Sequence, residues 1–177
     1  MSVLIPKPSA DEFPAYASMY VDLLPDDGRV LARLAAQADT VRALFESCSD
    51  QQLAWRYAPG KWTPKDILLH LVDDERIYTY RALRFARGDE TELPGFDEMP
   101  YAAASEANSR SLDSLLAEHA TVRAATLSLF SNLPDAAWMR SGVANGARVT
   151  VRALVYHIAG HELHHLNILR ERYLAAP

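Results

Sequence analysis

The chain has 177 residues, 49% of them hydrophobic and 23% charged, so its length and composition fit one globular domain with a single core over residues 1–177. A formal net charge of −5 argues against nucleic acid or an anionic membrane surface as a partner, and no apolar run approaches the roughly 20 residues that cross a bilayer. Cys48 is the only cysteine, which excludes an internal disulfide and a cysteine-rich metal site.

The N-terminal segment MSVLIPKPSADEF contains a short apolar patch that Pro6 and Pro8 interrupt. A signal peptide needs a longer apolar stretch, so none is predicted here. We therefore expect a cytoplasmic protein.

Two helices are predicted in the first half of the chain. Apolar residues at steps of three and four predict the first over about 29–47. The second begins at a well-marked signal, in which Thr63 is the predicted N-cap, Pro64 occupies the first helical position and Asp66 completes a capping box. Gly88 is the predicted stop of this helix.

A long connection and two more helices follow. Residues 88–108 form a connection that is long for a compact bundle, and two interpretations stay open: a lid or wall of a binding site, or a surface loop laid over the core. A third helix is predicted over about 109–132, ended by Pro134, and a fourth from Thr150 almost to the terminus. No comparable strand-like alternation is present, so the predicted fold is all-α, a four-helix bundle with a long crossover connection.

Short internal matches suggest a repeat. The tetrapeptide TVRA occurs at 40–43 and again at 121–124. The segment WTPKDILLHLVDDE (62–75) also aligns with VTVRALVYHIAGHE (149–162), which places His70 opposite His157. If the repeat is real, it predicts two helix pairs related by a pseudo-twofold axis.

Five of the six histidines lie in the second and fourth helices, at positions 70, 157, 161, 164 and 165. His161 and His165 are one turn apart, so their rings project about 40° from each other and can reach one ion from the same side. Pairs of this kind bind zinc, nickel or iron, and His70 is the natural third ligand. On spacing alone, however, packing histidines remain an equal alternative. His157 and His164 are expected to support the site rather than bind the ion.

The segment HELHH (161–165) matches the H-E-x-x-H pattern of zinc proteases formally. Only twelve residues follow His165, and they contain no histidine that can serve as the downstream third ligand. A protease is therefore improbable, while a non-enzymatic bundle with packing histidines stays open.

Several acidic residues flank the histidines. Asp74 lies one turn beyond His70, where it is predicted as a fourth ligand, a catalytic base or an acceptor behind a ligand; the alternative is a surface acid paired with Arg81 or Tyr78. Glu75 projects about 140° from His70, which favours a structural salt bridge. Glu162 lies at the margin of the histidine face, and His119 is expected to be a hydrogen-bonded packing residue. Tyr57 and Trp62 are interpreted as packing residues.

The segments APGKWTPKDILLHLVDDERIYTYRALRFARGD, LPGFDE and AGHELHHLNILRERYL together closely resemble the DinB-like (DinB/YfiT) superfamily of metal-dependent enzymes. The resemblance extends from about Tyr20 to Leu174. It implies a four-helix bundle with a long crossover, a three-histidine metal site at His70, His161 and His165, and a homodimer.

The resemblance also implies an activity. Characterised members of this superfamily include S-transferases and isomerases that use a low-molecular-weight thiol. The protein is therefore expected to bind Zn²⁺ or Ni²⁺ and to act on a small-molecule substrate by thiol-dependent transfer or isomerisation. A metal-dependent hydrolase and a non-catalytic metal-binding bundle are the alternatives.

Overall fold

The computed structural model describes residues 4–174, so the first three residues of the N-terminal segment and the last three of the chain lie outside it. Within this range the α-helices are, in chain order, α1 (Ser18–Val21), α2 (Val30–Glu46), α3 (Asp50–Ala54), α4 (Pro64–Ala86), α5 (Glu98–Ala104), α6 (Leu112–Ser131) and α7 (Val151–Ile168). One π-helical turn, Leu169–Leu174, extends α7. Four short 3-10 turns lie at Ala10–Glu12, Ala15–Ala17, Ala107–Ser109 and Asp135–Ala137.

The four long helices α2, α4, α6 and α7 form the bundle, with α4 packed against both α6 and α7, and α2 against α6. All four begin and end within a few residues of the predicted positions. None of the described helices is long and apolar enough to span a bilayer. The predicted all-α fold is confirmed.

The local signals that start and stop the site-bearing helices act as predicted. The Thr63 side chain accepts a hydrogen bond from the Asp66 amide, and the Asp66 carboxylate accepts one from the Thr63 amide. Thr150 caps α7 in the same way through the amide of Ala153. Gly88 adopts a φ of +76° directly after α4, a backbone conformation that favours glycine.

A small β-hairpin is the main departure from the prediction. Strands β1 (Ser141–Ala144) and β2 (Ala147–Thr150) pair antiparallel, and the turn residues Asn145 and Gly146 both have positive φ. An Asn-Gly turn is a strong hairpin signal, but each strand has only four residues, too few for alternating hydrophobicity to stand out. The sequence therefore did not predict this hairpin, and the all-α class is unaffected by it.

The connection between α4 and α6 is anchored at both ends. The amide of Leu93 donates to the carbonyl of Val143 in β1, and the side chain of Asn108 donates to Asp66 at the start of α4. Leu93 is buried in the core, whereas Phe96 reaches the large pocket described below. The connection therefore covers the core and also supplies a wall of the site.

The interior is apolar at both ends of the bundle and polar in the middle. The first core cluster contains the buried apolar residues of 78–86 on α4 and of 151–159 on α7. The second contains the buried apolar residues of 67–72 on α4 and Leu166 on α7. Between them lies a buried polar layer made of His70, Asp74, Glu75, His119, Arg123, His157, His161 and Glu162.

Candidate metal centre

Three histidine nitrogens converge in the polar layer. Nε2 of His161 lies 3.0 Å from Nε2 of His70 and 3.1 Å from Nε2 of His165. Two nitrogens that share a tetrahedral zinc at 2.0–2.1 Å stand about 3.3 Å apart, so the separations fit a common ion. The histidines named from spacing are therefore brought together by α4 and α7.

The protonation state of these rings suits metal binding. Burial and the neighbouring His161 together lower the pKa of His70 to about 4. Burial and the same neighbour lower the pKa of His165 to about 2. Both rings are neutral at pH 7, and a neutral imidazole has the lone pair that a cation requires.

Asp74 lies behind the histidines. Its Oδ2 is 3.2 Å from Nδ1 of His161 and 3.6 Å from Nε2 of His157, without a well-aligned hydrogen bond to either. Burial raises the pKa of Asp74, but the facing His161 and His157 outweigh it and hold the pKa well below its usual range. At 4% exposure Asp74 is not a surface acid, and it forms no ion pair with Arg81. A carboxylate facing the distal nitrogen of a histidine is a common way to orient a metal ligand.

The other two histidines of α7 flank the trio. The ring of His157 stacks on Tyr78 with centroids 3.8 Å apart, and His157 forms a second set of potential ligands with Asp74 and His161. His164 is partly exposed, and its ring packs edge to face against Tyr20, with the two ring centroids 5.4 Å apart. Both histidines lie beside the trio, in the places where supporting roles were predicted.

The histidines open onto a cavity of about 330 Å³. Its wall consists of Tyr16, Tyr20, Trp62, His70, Asp74, Tyr78, Arg81, Phe96, Glu98, Asn145, His157, His161, His164 and His165. Trp62 was interpreted as a packing residue, but its ring lies 4.6 Å from that of His70 and faces the cavity. Tyr57 lies outside this wall and packs on Tyr173.

Sequence reasoning missed Tyr20 as a site residue. The centroid of its ring lies 5.0 Å from that of His157, 5.1 Å from that of His161 and 5.4 Å from that of His164, each time in an edge-to-face arrangement. It lies in α1, a helix of four residues that has too little periodicity to be recognised. No local signal distinguishes this tyrosine from the other seven.

A separate ionic cluster lies behind the site. Arg123 donates to the carboxylates of Glu75 and Glu162 at 2.9 and 2.7 Å, and Glu162 also pairs with Nε2 of His119 at 2.8 Å. All four side chains are buried. The predictions of a salt bridge for Glu75 and of a hydrogen-bonded packing role for His119 are confirmed. Glu162 is held in this cluster and does not line the cavity.

Comparisons with known proteins agree with this architecture. A solved structure described as "YfiT from Bacillus subtilis is a probable metal-dependent hydrolase with an unusual four-helix bundle topology" superposes with a TM-score of 0.74 at 19% identity, over 81% of this chain and 83% of that one. No curated protein matches the chain. The model of the DinB superfamily matches residues 33–169, which include the whole histidine trio. The chain belongs to the DinB superfamily.

Proposed function

We propose that this protein is a metal-dependent enzyme that binds a divalent transition metal through His70, His161 and His165. The observation that carries the proposal is the convergence of three imidazole nitrogens on the wall of a 330 Å³ cavity. Three protein ligands leave a coordination position open, which is typical of catalytic rather than structural zinc sites. Zn²⁺ and Ni²⁺ both suit imidazole ligands.

The residues around the trio have distinct tasks in this proposal. A divalent cation held there supplies Lewis acidity, which lowers the pKa of a coordinated thiol or water. Asp74 fixes the orientation of His161, while Tyr20 and Trp62 limit the access of water to the histidines. The cavity volume suits a small-molecule substrate.

We favour thiol-dependent transfer or isomerisation as the reaction. Glu162, the carboxylate that an H-E-x-x-H hydrolase would use as its base, is bound by Arg123 and His119 outside the cavity. With a divalent cation held by the trio, a thiol would release its proton to solvent and would attack an electrophilic carbon as thiolate, with departure of a leaving group in the case of transfer. Such a reaction would need no carboxylate base, whereas hydrolysis benefits from one.

Metal-dependent hydrolysis is the second candidate. The likeness to YfiT, described as a probable metal-dependent hydrolase, supports it.

The sequence also predicts a homodimer, a cytoplasmic location and a single domain. These three remain predictions.

Metal titration tests the site. We expect one equivalent of Zn²⁺ or Ni²⁺ per chain by elemental analysis and calorimetry. His70→Ala, His161→Ala and His165→Ala should each weaken binding at least a hundredfold. Two controls should leave the affinity unchanged: His164→Ala at the rim, and His119→Gln, which keeps a donor for Glu162. Unchanged affinity in the three ligand variants would refute the proposed site.

A paired assay tests the reaction. The metal-loaded protein is incubated with small electrophiles, with and without low-molecular-weight thiols. Peptide and ester substrates are assayed in parallel. Thiol-dependent turnover that a chelator abolishes is the expected result. Metal-dependent ester or peptide hydrolysis without a thiol effect would make the hydrolase the better assignment.

A further inference from the structure

The cavity wall contains a buried cation that forms an ion pair with no carboxylate of residues 4–174. Arg81 is only 5% exposed, and it takes part in none of the ion pairs among the described residues. The other deeply buried arginine, Arg123, contacts two carboxylates. A buried charge is costly unless it is paired, so Arg81 lacks the partner that its burial requires.

The Arg81 side chain is held in place while most of its donors stay free. Its Nη2 donates to the carbonyl oxygen of Pro94 at 3.0 Å, and its guanidinium carbon lies 4.9 Å from the centroid of the Tyr78 ring. Tyr78 in turn stacks on His157. A guanidinium has five N–H donors, so the single described hydrogen bond leaves Nε and Nη1 available to a ligand in the cavity.

Arg81 and the histidine trio face the same space. His70, Asp74, Tyr78 and Arg81 follow one another at steps of four, four and three along α4, so they form one stripe of that helix. All four line the 330 Å³ cavity. One small molecule in this cavity can therefore contact the histidine trio at one end and Arg81 at the other.

We propose that Arg81 binds a carboxylate group of the substrate. The planar guanidinium matches a carboxylate, with which it forms two parallel hydrogen bonds. A carboxylate carries the single negative charge that one guanidinium balances, whereas a phosphate carries more. The inference deepens the proposed function, on which it rests for the reacting end of the molecule, but it assigns the anion to Arg81 and not to the metal.

Binding of matched probes tests this inference. We would titrate 3-phenylpropanoate, its neutral amide 3-phenylpropanamide and 3-phenylpropylphosphonate into zinc-loaded protein and into chelator-treated protein, and follow the heat of binding. We expect the wild type to bind the carboxylate at least tenfold more tightly than the amide or the phosphonate, in both forms. Arg81→Gln should abolish this preference, Arg81→Lys should keep part of it, and Arg148→Gln, which removes an exposed arginine outside the cavity, should keep all of it.

Other outcomes overturn the assignment. If the carboxylate is preferred only in the zinc-loaded protein, the anion binds to the metal and not to Arg81. If the amide binds as tightly as the carboxylate, the proposed anion site is refuted. Tighter binding of the phosphonate would refute the carboxylate as the ligand class. If Arg81→Gln does not fold, the NMR signal of the Arg81 Nε–H group in the wild type decides: it should shift on adding the carboxylate and not on adding the amide. Because the chelator-treated protein is measured separately, loss of the metal site and loss of the anion site are distinguishable.

Discussion

At the scale of single residues, the two nitrogens of His161 have different surroundings. Nε2 faces the other two histidines of the trio, and Nδ1 faces the buried carboxylate of Asp74. An imidazole with its proton on Nδ1 directs that proton to the carboxylate and leaves the Nε2 lone pair for a cation. The carboxylate of Asp74, a residue of another helix, therefore favours the tautomer of His161 that a cation at Nε2 requires.

Replacing Asp74 by asparagine should weaken metal binding without abolishing it. The amide has no negative charge to place opposite Nδ1 of the metal ligand His161, and loss of such a partner typically costs 10–100-fold in affinity. Calorimetric titration with Zn²⁺ should show this loss at an unchanged stoichiometry of one ion. Asp73→Asn is the matched control, because the partly exposed Asp73 faces Arg76 rather than the histidines. An unchanged affinity in Asp74→Asn would show that the carboxylate has no part in the site.

At the scale of elements, the contact between α1 and α7 depends on one glycine. A Cβ added to Gly160 would lie 2.2 Å from the carbonyl oxygen of Tyr20, far closer than a normal contact. The absence of a side chain at Gly160 lets α1 approach α7, and this approach places the Tyr20 ring against His157 and His161. A tertiary contact therefore explains a glycine in the middle of a helix, where propensity alone would favour alanine.

Gly160→Ala should destabilise the protein although it raises helix propensity. The gain in propensity is about 1 kcal/mol, whereas the clash with backbone atoms of α1 forces a shift that costs about 1–3 kcal/mol. Urea denaturation should show a lower midpoint, and the fluorescence of the tyrosines near the site should change. Asn167→Ala, at a partly exposed position of the same helix, removes only an exposed hydrogen bond from Arg170 and raises helix propensity, so it should keep or slightly raise the midpoint. A higher midpoint for Gly160→Ala would contradict the close approach of α1.

At the scale of the whole molecule, Arg123 joins the four long helices. It extends from α6, donates to the carbonyl oxygen of Leu34 in α2, and contacts Glu75 in α4 and Glu162 in α7. The two carboxylates counter the buried charge and hold the pKa of Arg123 above its usual range against the opposing effect of burial. Because α4 and α7 also carry the histidines, the same cluster fixes the helices that form the site.

Arg123→Met should cost about 3–5 kcal/mol of unfolding free energy, since it leaves two buried carboxylates without their cation. The repeated tetrapeptide offers a control, because Arg42 holds the equivalent position in α2 but is exposed and pairs only with Glu46. Arg42→Met should cost at most about 0.5 kcal/mol. Chemical denaturation of both variants at pH 7 measures the difference. Equal losses of unfolding free energy in Arg123→Met and Arg42→Met would show that the buried cluster does not stabilise the bundle.

The sequence by itself determined the features that depend on neighbours along the chain. The caps at Thr63 and Thr150, the stop at Gly88 and the one-turn spacing of His161 and His165 are set within a few residues, and they appear as predicted. The all-α class follows from apolar periodicity, which is also a local property. The hairpin was missed because each of its strands is shorter than the window that reveals alternation.

Only the tertiary structure decided which distant residues meet. The aligned segments place Glu75 opposite Glu162 and His70 opposite His157, and both glutamates do bind Arg123. His70, however, joins the trio, while His157 stacks on Tyr78 beside it. Tyr20 and Arg81 enter the site through packing that no local pattern encodes, because the angle and depth at which helices pack depend on side chains far apart in the sequence.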